Sequence, residues 1–367
     1  MKFFQLDIHE PRLKAELDAA YQRVAASGQL ILGPELAAFE AEFAAYCGAG
    51  QAIGVGNGLD ALVLALRAAG VGPGDEVIVP SHTFAATWLA VTQAGARPVP
   101  VEPDPATYTI TAEAVGAALT PRTAAVIPVS LYGHPADIDP ILALAADRGL
   151  FVLEDAAQSH GALYRGRRAG ALAHATAFSF YPTKNLGALG DGGAVTTSDP
   201  VLADSVRKLR NYGSVRKYEH ELAGVNSRLD ELQAAFLRAK LPRLDDANAA
   251  RRRHAAAYAE ALADIPGVMP PAEAAWARHV HHLYVIRCAD RAATQARLAA
   301  AQVQTLIHYP TPCHLQPAFA ELGFRPGQFP LAEQLAAEVL SLPMWPGMPA
   351  DGPERVGAAL RSQSGIS

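Results

Sequence analysis

Residue groups at three places in the chain could do chemistry. The stretch Ser179-Phe180-Tyr181-Pro182-Thr183-Lys184-Asn185-Leu186-Gly187-Ala188 sets a lysine between apolar runs, with Gly190, Gly192 and Gly193 close behind. A desolvated lysine loses basicity, and its neutral amine is the nucleophile that forms Schiff bases with carbonyls. The plainer reading is a solvated lysine at the end of a strand. Glu154-Asp155-Ala156-Ala157-Gln158 follows the apolar run Phe151-Val152-Leu153. Successive strand residues face opposite sides, so only one of the two acids can meet a given ligand. That argues against a metal pair and suits one carboxylate beside a protonated ring nitrogen, with a helix cap by Asp155 as the alternative. Gly54-Val55-Gly56-Asn57-Gly58 leads into an apolar helix from Leu59. Such a turn offers backbone N–H groups to an anion. Its spacing is neither the dinucleotide fingerprint nor a Walker loop, which leaves a single phosphate, or a tight turn with Asp60 as a first-turn acid. A phosphate turn, a strand-end carboxylate and a loop lysine together make the parts list for pyridoxal phosphate.

The histidines are scattered. His279, His281 and His282 read as the entry to a strand, while His308-Tyr309-Pro310, with His314 nearby, is a polar aromatic turn suited to substrate contact. No histidine pair has helical metal-ligand spacing and no Gly-x-Ser-x-Gly occurs, so neither zinc nor serine-hydrolase chemistry is expected.

These groups need a frame. Short apolar strands are expected at 76–80, 98–101, 124–129, 151–155, 175–180 and 193–198, with helices at 59–69, 84–94, 112–119 and 138–148 between them. Apolar strands alternating with helices predict a mostly parallel sheet covered on both faces, an α/β doubly wound domain. Ligands of such sheets bind beyond the carboxyl ends of the strands, where Ser81 to Phe84, Asp155 to Gln158 and the Lys184 loop fall. Helices are also expected over 10–27 and from Pro34 to Gly48. After residue 199 come helices at 200–209, 229–241 and 244–264, a polar basic stretch at 210–226, strands at 282–286 and 304–308, and a helix at 292–300. The division expected is a large cofactor-binding domain over 1–245 and a smaller α+β domain over 246–367. At 367 residues and net charge −5, the chain can bury a sizeable core and shows no basic excess for nucleic acid or an anionic membrane. No apolar run approaches the ~18 residues of a membrane span. The start, Met1-Lys2-Phe3-Phe4, lacks a signal-peptide core, and three dispersed cysteines fit a reducing cytoplasm.

In this order the motifs resemble those of the DegT/DnrJ-type nucleotide-sugar aminotransferases, within the fold-type I, aspartate-aminotransferase-like pyridoxal phosphate enzymes. The landmarks are Ile31 to Glu35, Gly56 to Leu62, Pro80 to Thr87, Glu154 to Gln158, Ser179 to Gly187, Gly190 to Gly193 and Asn226 to Ala235. The resemblance implies that Lys184 forms the Schiff base and shuttles the proton. It implies Asp155 on the pyridinium nitrogen, Gln158 near the phenolic oxygen, Phe84 stacked on the ring, and Ser179 with the backbone of Gly58 and Leu59 on the phosphate. Asn226 would reach the phosphate in a neighbouring subunit, which makes a homodimer with shared sites. The substrate implied is a nucleotide-linked keto-sugar, with glutamate as donor. Tyr181 stands where many members have histidine. With 305–310 and 342–347, it looks most like the branch that converts a thymidine diphosphate-linked 3-keto-6-deoxyhexose into the 3-amino-3,6-dideoxyhexose. His308, Tyr309 and His314 are then substrate candidates, and Lys217, beside Arg216, could meet the diphosphate unless that loop is simply solvated. A C4 aminotransferase and an inactive regulatory member are the alternatives. The related sugar 3-dehydratases carry histidine in place of the Schiff-base lysine, which Lys184 argues against.

Overall fold

The computed structural model describes residues 1–361 except Asp7 and His9. The end of the expected second domain, 362–367, lies outside the described residues. The first helix, α1 (Pro11–Ser27), begins where Glu10 accepts from the N–H groups of Arg12 and Leu13, and ends where Gly28 turns left-handed at φ 67°. The next, α2 (Pro34–Cys47), is capped from far along the chain. The buried Glu231 carboxylate accepts from the N–H groups of Gly33, Glu35 and Leu36 at 2.8–2.9 Å. A Cβ at Gly33 would stand 2.9 Å from Glu231 Oε2, so the close approach requires glycine there.

A seven-stranded sheet follows, built from β1 (Gln51–Val55), β2 (Glu76–Pro80), β3 (Arg97–Val101), β4 (Thr123–Val126), β5 (Phe151–Asp155), β8 (Ala175–Ser179) and β9 (Gly193–Thr197). A short hairpin, β6 (Leu163–Tyr164) and β7 (Arg167–Arg168), lies outside it and pairs with Ala277–Arg278. The sheet order is β1-β9-β8-β5-β4-β2-β3. The run from β8 to β3 is parallel, and β9 is antiparallel to both neighbours, which turns β1 parallel to the rest. Helices α3 (Gly58–Ala68) and α4 (Ala85–Gln93) cover one face among buried residues such as Leu62, Leu66, Trp88 and Val91. Phe39, Phe43, Phe178 and Phe180 fill a cluster on the other side of the Lys184 loop. The expected mostly parallel, helix-covered sheet is therefore present.

The strand β1 before the glycine turn was not expected. It holds Gly54 because a side chain there would meet Leu36 at 2.7 Å and Leu229 at 3.0 Å, and glycine in a strand weakens its signature. The expected strand 304–308 reduces to one bridge, Leu306 with Ser341. Its place is taken by Val339–Leu342, which pairs with Tyr284–Cys288. Those strands pack with Leu244–Leu262 and Gly352–Arg361 around Tyr258, Tyr284, Trp345 and Leu360, and Met1 and Phe4 join that cluster. No helix among the described residues is long and apolar enough to cross a membrane.

Candidate active site

The loops beyond the carboxyl ends of the parallel strands converge on one cavity of about 720 Å³. Its lining includes Gly58, Phe84, Asp155, Gln158, Ser179 and Lys184, with His308 and Tyr309 from the later part of the chain.

Lys184 sits on a tight loop. Its N–H donates to Tyr181 O at 2.8 Å, and Ala188 N–H donates to Phe180 O at 2.7 Å. A Cβ on Gly187 would lie 2.4 Å from Pro182 O, so only glycine closes this turn. Burial lowers the Lys184 amine to about 8, against an opposing pull from the Asp155 charge. The solvated-lysine reading does not survive this environment.

The two acids at the end of β5 part as strand alternation requires. Glu154 turns into the protein, where it accepts from Ser130 Oγ at 2.7 Å and Thr176 Oγ1 at 3.4 Å. Asp155 turns into the cavity and accepts from Thr87 Oγ1 at 2.9 Å and from Ala157 N–H at 3.2 Å. Burial raises the Asp155 carboxyl above its ordinary range, opposed by those donors and by Lys184. Gln158 accepts from Tyr132 N–H at 2.6 Å and donates to the Tyr309 hydroxyl at 3.1 Å, so its amide orientation is set. The exposed Phe84 ring lies 5.3 Å from that of Tyr309.

At the other end, Asn57 caps α3 by accepting from Asp60 N–H. Asp60 is taken up by Asn57 Nδ2 and Ser227 Oγ, which leaves the N–H groups of Gly58 and Leu59 at the cavity wall beside Ser179. The helix start favours an anion there. A Cβ on Gly58 would stand 2.6 Å from Ser179 Cβ. Gly58→Ala is expected to weaken binding of a phosphate group at this turn by about tenfold or more. Equilibrium dialysis with pyridoxal phosphate checks it, and unchanged retention would place the phosphate elsewhere.

Tyr181 lines the cavity with half its surface exposed. His308 Nδ1 lies 2.7 Å from Ser341 Oγ, its carbonyl accepts from the Tyr132 hydroxyl, and burial lowers its ring to about 4. Burial pushes the Tyr309 phenol up.

Some expected contacts are not brought to this cavity. His314 is buried against Glu333, with Nε2 3.0 Å from its carboxylate, and packs on Phe329, so its polarity serves a local fold. Lys217 stands exposed at the tip of the hairpin Ser214–Arg216 with Glu219–His220, over the Tyr218 ring. Asn226 is exposed and bridges to Asn211, outside the cavity of its own chain. Conversely, His282 lines the cavity, although the sequence reads it as strand entry. Its one signal was position, just before an apolar strand whose neighbours could not be placed. Among the described residues there is no cluster of His, Cys, Asp or Glu able to hold a metal ion.

Comparison with known proteins fits this geometry. The DegT/DnrJ/EryC1/StrS aminotransferase family matches residues 11–361. The dTDP-3-amino-3,4,6-trideoxy-alpha-D-glucose transaminase of Streptomyces venezuelae is 53% identical over 98% of this chain and 95% of its own. The dTDP-3-amino-3,6-dideoxy-alpha-D-galactopyranose transaminase of Aneurinibacillus thermoaerophilus is 50% identical over 94% of each chain. The crystal structure of S. venezuelae DesV in complex with a ketimine intermediate superposes with a TM-score of 0.97 at 52% identity, covering 100% of this chain and 98% of that one.

Proposed function

The chain belongs to the DegT/DnrJ/EryC1/StrS aminotransferase family, and from that premise we propose that it aminates C3 of a thymidine diphosphate-linked 3-keto-6-deoxyhexose, with glutamate as donor. At the coarser level it is a pyridoxal phosphate-dependent aminotransferase acting on nucleotide-linked keto-sugars. The single observation that carries the reading is a half-buried Lys184, its amine lowered to about 8, sharing one cavity with the Asp155 carboxylate and the glycine-bordered helix start at Gly58.

The residues present fit the cofactor. The N–H groups of Gly58 and Leu59, with Ser179, provide a cradle that a Cβ would fill. When bound, pyridoxal phosphate supplies an electrophilic carbonyl carbon and a ring that takes up the electrons released when the substrate loses a proton. Lys184 would provide the neutral amine and then carry the proton between the substrate carbon and the cofactor's reacting carbon. Asp155 would hold the proton on the ring nitrogen, its pull strengthened by its own burial. Phe84 would cover one face of the ring, and Gln158 would fix its edge near the phenolic oxygen. Tyr181, His308 and Tyr309 meet the sugar. Asn226 and Lys217 act in the cavity of a second copy, which accounts for their exposure here and makes the working unit a homodimer.

The names of the two relatives both specify a 3-amino sugar, which supports C3. They differ at C4, so a 3-keto-4,6-dideoxy substrate is the second reading. The test offers 3-keto-6-deoxy, 3-keto-4,6-dideoxy and 4-keto-6-deoxy thymidine diphosphate sugars with glutamate and reads each product by mass and proton spectra. The expected result is amination at C3 with at least tenfold preference over C4. Amination at C4 alone would overturn the assignment.

A further inference from the structure

His282 is 7% exposed and lines the cavity beside Lys184 and His308. Its Nδ1 lies 3.1 Å from Asn185 Oδ1. Asn185 Nδ2 is committed elsewhere, donating to Asn248 Oδ1 at 2.8 Å and to Val280 O at 3.1 Å. The Asn185 amide is therefore oriented, its oxygen can only accept, and the hydrogen of the imidazole sits on Nδ1. Burial, with the positive charge of Lys184, holds the ring neutral. Nε2 is then a hydrogen-bond acceptor and nothing else. Among the described residues nothing donates to it, the Lys184 amine included. The atom opens into the cavity rather than being sealed in the core, so an occupant that displaces water from it keeps the balance only by bringing a donor to this point.

The cofactor's phosphate, ring nitrogen and phenolic edge are already assigned to Gly58, Asp155 and Gln158. We infer that His282 is a specificity residue whose Nε2 accepts a hydrogen bond from a sugar hydroxyl next to the carbon that is aminated. Asn185 is its positioning residue, and the same side chain ties the lysine loop to the helix carrying Asn248. This inference rests on the nucleotide-sugar reading given above.

The test uses holoenzyme and follows two quantities. One is the rate at which glutamate bleaches the cofactor colour. The other is the calorimetric affinity for the 3-amino nucleotide-sugar product and for thymidine diphosphate alone. His282→Phe should weaken product affinity and raise the keto-sugar KM by about tenfold. It should leave the glutamate step and thymidine diphosphate binding within about twofold, and His282→Gln, which restores an acceptor oxygen, should recover part of the loss. In wild type, the 2-deoxy or the 4-deoxy product should bind about tenfold less tightly than the full product, a comparison that holds even if His282→Phe misfolds. Affinity for both deoxy analogues equal to that for the full product, or an equal loss in the glutamate step, would overturn the inference. A wild-type protein that takes up pyridoxal phosphate but aminates no nucleotide sugar would instead remove the reading beneath it.

Discussion

Lys184→Ala is expected to fold, to retain no pyridoxal phosphate covalently attached after borohydride reduction, and to lose transamination by at least about 10³-fold. In the proposed function the side chain supplies both the nucleophile and the proton carrier, and no second amine among the lining residues can replace it. The loop itself is held by backbone bonds and by the closure at Gly187, so its shape does not depend on the amine. The same burial has a signature in stability. The folded amine is held at about 8 against 10.5 for a free lysine, so the unfolded chain binds more protons between those values. Stability of the cofactor-free protein therefore rises with pH through that window, and the full cost of burying the charge is present below about 8. Lys184→Met keeps the length of the side chain and removes the charge. The cofactor-free variant should melt above wild type at pH 7, with the gap narrowing toward pH 10. Calorimetry at both pH values decides; a gap that widens with pH would mean the lysine is not desolvated. The neutral fraction also governs uptake of pyridoxal phosphate by wild type, whose rate should climb to a plateau above about pH 8.

The parts of the site legible in the sequence were those that local rules fix. The strand-end rule placed Asp155, Ser179 and Lys184 near one another because parallel apolar strands share a carboxyl edge. Alternation separated Glu154 from Asp155, and the structure sends them to opposite sides of the sheet. What stayed hidden depends on contacts between distant segments. Strand β1 is made by pairing with β9, 138 or more residues later in the chain, and Gly54 erases its local signature. His282 lines the cavity with its ring held by Asn185, and nothing in the order His279-Val280-His281-His282 tells the last residue from the others. His314 has the polarity of a substrate contact, but its neighbour is Glu333, which follows it by 19 residues. The Glu231 cap on α2 is of the same kind: the motif marked the residue, while its role appears only when both ends of the chain segment meet.

Asp155→Asn should lower transamination by about 10²–10³-fold without loss of fold. Asparagine can keep the oxygen that accepts from Ala157 N–H, and the Thr87 hydroxyl can rotate to accept from its amide, so the hydrogen-bond pattern survives. Only the charge is lost, and in the proposed function the charge is what keeps a proton on the ring nitrogen. Burial raises the carboxyl in the folded state, so the folded protein binds a proton more readily than the unfolded chain. The stability tied to this group is present below the ordinary value of 3.8 and is lost as pH rises through the raised one. At pH 7 burial of the Asp155 carboxyl is a net cost to the cofactor-free fold, and Asp155→Asn should melt at or above wild type. Glu154→Gln is the matched control. Its carboxylate faces Ser130 and Thr176, so the substitution perturbs packing beneath the sheet and should leave turnover within a few-fold. Burial raises both carboxyls, so a functional carboxylate separates from a structural one by activity, lost at Asp155 and kept at Glu154. Measuring both quantities in both variants settles which acid serves the ring. Similar losses at Asp155 and Glu154 would return the pair to a structural role and leave the ring nitrogen without its partner.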